Sequence, residues 1–218
     1  MTEIRALFGT TLVEIQGWLS DQRSELAKRF DSPSALAEFA TRGLAGHLRR
    51  AMTVVEAYLD QTVSDPGTGA EVLSGAAYYA GVLPADQDLD SDFNRAIRQR
   101  GVEAAPADPG DYVIEWADTA AGLIIRLEQE PADRLVQVYG DLVLTLDEYL
   151  VTRLVELVVH ADDLAVSLGV APPALPPAAT GLVIATLVEV ARIRHGDTAV
   201  LRALARRERD DVEALRVI

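Results

Sequence analysis

The chain has 218 residues, with 34 acidic and 20 basic side chains besides three histidines, for a formal charge of −14. Its 49% hydrophobic and 25% charged residues exclude a disordered chain, and its length suits one domain that needs no disulfide or metal staple to bury a core. Cysteine is absent, which removes disulfides, thiolate-ligated metals and any thiol nucleophile of the chain's own, while the acidic balance argues against nucleic acid as a partner.

Met1 to Arg5 lacks the basic stretch and apolar run of a secretory signal. The longest apolar stretches, 154–159 and 182–190, fall far short of the roughly 20 residues that span a bilayer. The expectation is a soluble cytoplasmic protein with no membrane partner. From Ile4, the residues Leu7, Leu12, Val13, Ile15, Leu19 and Leu26 keep a helical period and predict one long helix to about Arg29. Ser34, after Asp31-Ser32-Pro33, predicts the N-cap of a second long helix over 35–61. The turn formers of 64–69 break that pattern.

Two shorter helices divided by Pro84 are expected over 70–101. After the loop 106–110, a third long helix is expected over 111–129, carrying Trp116. The β-prone runs 135–139 and 142–146 flank Gly140-Asp141 and predict a small hairpin. Thr145-Leu146-Asp147-Glu148 has the form of a capping box, in which hydroxyl and carboxylate each satisfy a backbone donor. It opens a helix to Leu168 that Gly169 and Pro172-Pro173 terminate. Helices near 179–195 and 197–209 follow. The pattern predicts an all-α fold: a four-helix bundle over 1–170, with the hairpin before its fourth long helix, then a Pro-rich linker and short helical C-terminal extension over 171–218.

Sites in such bundles are built from inward-facing polar side chains of different helices. Glu156 and His160 lie one turn apart on one helix face, among Leu154, Val155, Leu157, Val158 and Val159. Tyr149 and Thr152 extend that face on one side and Asp163 on the other. A carboxylate and an imidazole in such a run are costly to bury unless paired or metal-bound. Taken alone, Glu-x-x-x-His is weak evidence, and a plain helical ion pair accounts for it as well.

His47 sits mid-helix in Leu44-Ala45-Gly46-His47-Leu48, where Gly46 costs about 1 kcal/mol relative to Ala unless something approaches closely. His47 is either a core histidine with one partner or a third ligand that joins Glu156 and His160 around a divalent ion. Zinc takes such a set and leaves a fourth position open; iron, nickel and manganese can use it too. His195, in Arg192-Ile193-Arg194-His195-Gly196, reads as a helix C-terminus. Arg153 reads as an ion-pair partner of Glu148 or Glu156, or as a guide for an anionic substrate. Asp86, Asp88, Asp90 and Asp92 alternate like a calcium loop, but Ser91 and Ile97 stand where glycine and glutamate are required, so a solvated loop and a helix cap are expected. Trp18, Trp116, Tyr78 and Tyr79 are expected in or beside the core.

Thr152-Arg153-Leu154-Val155-Glu156-Leu157-Val158-Val159-His160-Ala161-Asp162-Asp163-Leu164-Ala165-Val166-Ser167-Leu168-Gly169, preceded by the helical segment around His47, resembles the mycothiol-dependent maleylpyruvate isomerase family. That family belongs to the DinB-like four-helix-bundle metalloenzymes. The resemblance implies a zinc site of His47, Glu156 and His160, with water or a low-molecular-weight thiol, mycothiol, at the open position. Its implied activity is S-transfer to, or isomerisation of, an electrophilic substrate. Tyr149, Arg153 and Asp163 are the candidate catalytic residues beside it, Asp163 as a carboxylate able to accept an imidazole N–H. In the maleylpyruvate isomerases a separate α/β domain follows the bundle, whereas the stretch after 171 here reads as mostly helical. The alternative is a non-catalytic binding or stress-related bundle, a homodimer, that keeps the three residues as a hydrogen-bonded cluster.

Overall fold

The structure, a computed structural model, describes residues 1–61, 71–82, 91–139, 141–205, 208 and 212–217. In chain order these form α1 (Glu3–Asp21), α2 (Arg23–Arg29), α3 (Thr41–Leu59), β1 (Val72–Leu73), α4 (Gly75–Val82) and α5 (Asp92–Ala104). There follow α6 (Pro109–Gln129), β2 (Leu135–Val138), β3 (Leu142–Thr145), α7 (Leu146–Leu168), α8 (Pro177–His195), α9 (Asp197–Ala205) and a closing 3₁₀ turn.

Four long helices make the bundle. α1 packs on α6 and α7, and α3 packs on the same two, so the four close a ring. Phe8, Leu12, Leu44, Leu48, Trp116, Leu123, Leu150 and Leu157 fill it without exposure to solvent, each large apolar side chain contributing about 1.5–3 kcal/mol by leaving water. Trp18, Tyr78 and Tyr79 are buried as expected. Arg5 is buried too: its Nε donates to Asp147 at 2.9 Å, and its other nitrogens donate to the carbonyls of Glu130 at 2.6 Å and Pro131 at 2.7 Å. That staple joins the end of α6 to the start of α7 and to α1.

The first predicted helix is two. Gln22, with φ −93° and ψ 9°, interrupts it, and α2 then brings Leu26 and, just beyond its end, Phe30 to the core. The second long helix begins at Thr41, with Ala40 and not Ser34 at its N-cap. The Ser34 hydroxyl instead accepts from the Leu36 N–H at 3.1 Å, closing a local turn, and Ser34 N–H donates to the Phe39 carbonyl. The segment is tied to α7 where Ala35 N–H donates to Ser167 Oγ at 2.9 Å.

The hairpin forms: β2 and β3 pair antiparallel, Val136 opposite Leu144. β1, unforeseen in the sequence, joins β3 in parallel. Half of the capping box is made. Thr145 Oγ1 accepts from Glu148 N–H at 3.2 Å, but the Glu148 carboxylate accepts from Gly75 N–H at 2.7 Å, where a negative charge meets the positive end of α4. Gly169 ends α7 at φ +70°, as its position predicts. Pro84, Asp86, Asp88 and Asp90 lie outside the described residues; Ser91 caps α5 by accepting from Asn94 N–H.

After the linker, α8 packs on α4 and α7, and Trp18 Nε1 donates to the Ala171 carbonyl at 2.9 Å. Among the described residues, no helix is long and apolar enough to cross a membrane.

Candidate metal centre

α3 and α7 bring the three sequence-selected residues together. One donor atom each from His47, Glu156 and His160 lies within 4.8 Å of the others. Both imidazoles aim Nε2 at the same carboxylate oxygen: Glu156 Oε2 is 3.1 Å from His47 and 3.3 Å from His160. The rings meet edge to face, with centroids 4.6 Å apart. Beside the cluster a glycine seam packs α5 against α3. A Cβ on Gly46 would stand 2.0 Å from the Gly101 carbonyl oxygen, and one on Gly101 would stand 2.5 Å from the Gly43 carbonyl oxygen. The close approach that Gly46 implies is therefore by the backbone of α5.

The other Glu156 oxygen is held from behind. The Tyr79 hydroxyl donates to Oε1 at 2.5 Å and lies 2.9 Å from the Thr152 carbonyl. Arg153 comes within 3.8 Å of Oε1, but its Nε donates to Thr152 Oγ1 at 3.0 Å and its guanidinium sits over the Tyr149 ring. Arg153 therefore braces Tyr149 and Thr152 more closely than it pairs with Glu156. On the far side, Asp163 Oδ2 lies 3.0 Å from His160 Nδ1. His47 Nδ1 is buried without a partner among the described residues. His195 is exposed at the end of α8, remote in role from the cluster.

These contacts divide the protons unequally. Burial lowers the His160 pKa, but the carboxylates of Asp163 and Glu156 outweigh it and push it up to about 9. Burial also dominates at His47, where the Glu156 hydrogen bond does not offset it, and the pKa falls. At Glu156 burial works upward, yet both histidines and Arg153 hold the carboxyl well below its usual range. The result is an ionised carboxylate between a neutral and a protonated imidazole. Tyr149, its phenol pushed up by burial, makes no hydrogen bond to the three; its ring packs edge-on against Tyr58.

Beside the cluster opens a cavity of about 280 Å³, lined from α3, α4, α5 and α7 and by Tyr139. Tyr149, Arg153, Glu156 and His47 line it; Asp163 and His160 do not. Tyr79, Arg50 and Arg100 are site residues that sequence reasoning missed. Tyr79 had one signal, a buried phenol whose hydroxyl must find a partner. Arg50 had another, lying three residues past His47 on the same helix face.

No curated protein and no solved structure matches the chain. The family model described as mycothiol maleylpyruvate isomerase N-terminal domain matches residues 17–165, which include all three converging residues and most of the bundle. By its sequence over more than half its length, and with a helical bundle around a His–Glu–His cluster, the chain belongs to the mycothiol maleylpyruvate isomerase N-terminal domain family.

Proposed function

We propose that the protein is a metal-dependent enzyme that uses a low-molecular-weight thiol for S-transfer to, or isomerisation of, an electrophilic small molecule. The observation that carries this is the convergence of two imidazole nitrogens and one carboxylate oxygen, from two helices, beside a cavity. His47, Glu156 and His160 would hold a divalent ion, and the donor set, two nitrogens and one oxygen, suits zinc with a position left open. When bound, such an ion makes a coordinated thiol lose its proton near neutral pH. The chain has no cysteine, so the thiol must come from outside; mycothiol is the one the family's description names.

The chain's own residues prepare the set. Asp163 accepts from His160 Nδ1, which fixes the ring and leaves Nε2 facing Glu156. Tyr79 occupies Glu156 Oε1, so Oε2 alone faces the histidines. Tyr149 and Arg153 line the cavity where the electrophile would sit. In this reading residues 1–170 form the catalytic unit, and 171–218 an extension that buttresses it: Arg194 of α8 donates to the Tyr79 carbonyl at 3.0 Å.

A second reading has one observation in its favour. The run His47–Glu156–His160–Asp163 is already joined end to end, by hydrogen bonds at its two ends and by a 3.3 Å ion-pair contact between Glu156 and His160, so it could serve as a structural cluster in a non-catalytic bundle. Metal content separates the two. Untagged protein, purified without added metal, should carry about one equivalent of zinc by elemental analysis, and His160→Ala should abolish it. Metal-free wild type that also fails to take up zinc on titration would leave the structural cluster standing.

A further inference from the structure

The cavity beside the cluster holds positive charge that the metal reading does not use. Arg50 from α3 and Arg100 from α5 both line it, and neither makes a hydrogen bond or ion pair among the described residues. Arg49, next to Arg50 in the chain, by contrast pairs with Glu115 at 3.0 Å. Arg50 is half-buried, and its pKa is lowered by that burial and then by the charges of Arg100 and Arg153. Both of these guanidiniums thus stand close enough to Arg50 to repel it. Among the described lining residues Glu156 is the single carboxylate, and both its oxygens are already engaged.

The geometry around them is built. Arg100 directly precedes Gly101, whose contact with Gly43 locks α5 against α3, so the two cations belong to the tightest helix pair at the site. Apolar surface stands beside them: the rings of Tyr58, Tyr78 and Phe93, with Val54 and Ile97. The volume lies just below the usual range of ligand pockets, about 300 to 1,000 Å³, and so suits a small ligand.

We infer that this cavity binds an aromatic carboxylate, an anion held by Arg50 and Arg100 with its ring against the tyrosine wall. Guanidinium forks match a carboxylate and keep much of their strength at a half-buried site, while the rings select an apolar body over a small polar acid. As a statement about substrate class, this rests on the function proposed above. As a statement about binding, it stands on the cavity alone.

The test uses the full-length protein, zinc-loaded and chelator-treated, titrated calorimetrically with 2-naphthoate, with the neutral 2-naphthalenemethanol and with succinate. Naphthoate should bind both forms, at least about tenfold more tightly than the alcohol or succinate. Arg50→Gln and Arg100→Gln should each weaken it about tenfold, and Arg50→Lys should recover part of the loss. Zinc content, measured on the same samples, should not change with the arginine variants. Equal binding of the alcohol, no binding of naphthoate, or indifference to both glutamine variants would overturn the inference. So would binding confined to zinc-loaded protein, since the carboxylate would then be ligating the ion. Should Arg50→Gln lose its helical circular dichroism, the exposed Arg100 decides alone. Wild type that takes up no zinc removes the proposed function, and naphthoate binding to the chelated protein then decides for or against the cavity by itself.

Discussion

The Tyr79 hydroxyl donates to Glu156 Oε1 at 2.5 Å, so the short helix α4 holds one oxygen of the carboxylate whose other oxygen faces His47 and His160. Tyr79→Phe keeps the ring and removes only the donor. One oxygen of a buried carboxylate then loses its hydroxyl partner, and the carboxylate is freer to turn. Zinc affinity, read by competition with a chromophoric chelator, should fall about 10–100-fold, and stability by about 1–3 kcal/mol. Unchanged affinity in that variant would mean that Arg153 and the helix alone orient Glu156.

Proton release should accompany metal binding. With its pKa pushed up to about 9, His160 carries a proton at neutral pH in the metal-free protein, and a ligating nitrogen must be free of it. Zinc uptake at pH 7 should expel about one proton, and apparent affinity should rise about tenfold per pH unit before flattening above about pH 9. Calorimetry in two buffers of different ionisation enthalpy counts the proton. The same shift acts on folding. Because the folded pKa lies above the reference value of 6.5, its stabilisation of the chelated protein is complete below about pH 6.5 and is lost as pH rises through 9. Denaturation midpoints of chelated protein that climb over this range would contradict the assignment.

The bundle was legible because its signals are periodic and local. The apolar spacing marks α6 and α7 to within a few residues, and Thr145 and Gly169 mark the ends of α7. What escaped was set by tertiary contacts. The apolar period runs on across Gln22, so nothing in it announces the bend between α1 and α2. Ser34 has the chemistry of a helix cap, but it spends its hydroxyl on a turn that α7 holds in place through Ser167. β1 has two residues, too few for an alternation to show. At the site the same division holds. Glu156 and His160 share a helix face and declare each other, and Asp163 completes that face. Tyr79, Arg50 and Arg100 come from three different helices, and only folding makes them neighbours.

The glycine seam between α3 and α5 should be intolerant of a single methyl group. In Gly46→Ala the new Cβ would meet the Gly101 oxygen at 2.0 Å and the Ala105 nitrogen at 2.8 Å, both backbone atoms that cannot rotate away. The helices must separate, at a cost of about 1–3 kcal/mol or more, and His47 moves with them, so zinc affinity should fall as well. Gly17→Ala and Gly122→Ala are the controls. A Cβ there meets nothing within 4 Å, and removing a glycine from an exposed helix interior should stabilise by up to about 1 kcal/mol. Urea denaturation of the three variants should place them on opposite sides of wild type.

Arg5 should matter to stability without mattering to the metal. Its guanidinium satisfies the carbonyls of Glu130 and Pro131, just past the end of α6, and pairs with Asp147 in the first turn of α7. In Arg5→Met those carbonyls lose their donor, while Asp147, partly exposed, can still be met by water and by the N-terminal end of its helix. The loss should therefore come to about 2–4 kcal/mol, driven by unsatisfied acceptors more than by a stranded charge. Arg5→Lys should recover little, because one ammonium cannot reach the spread of acceptors that a planar fork spans. Zinc affinity per folded molecule should stay at the wild-type value in both, since the staple ties chain ends that contribute no donor to the cluster. A variant that lost metal affinity in step with stability would show instead that the start of α7 transmits its position three turns down to Glu156.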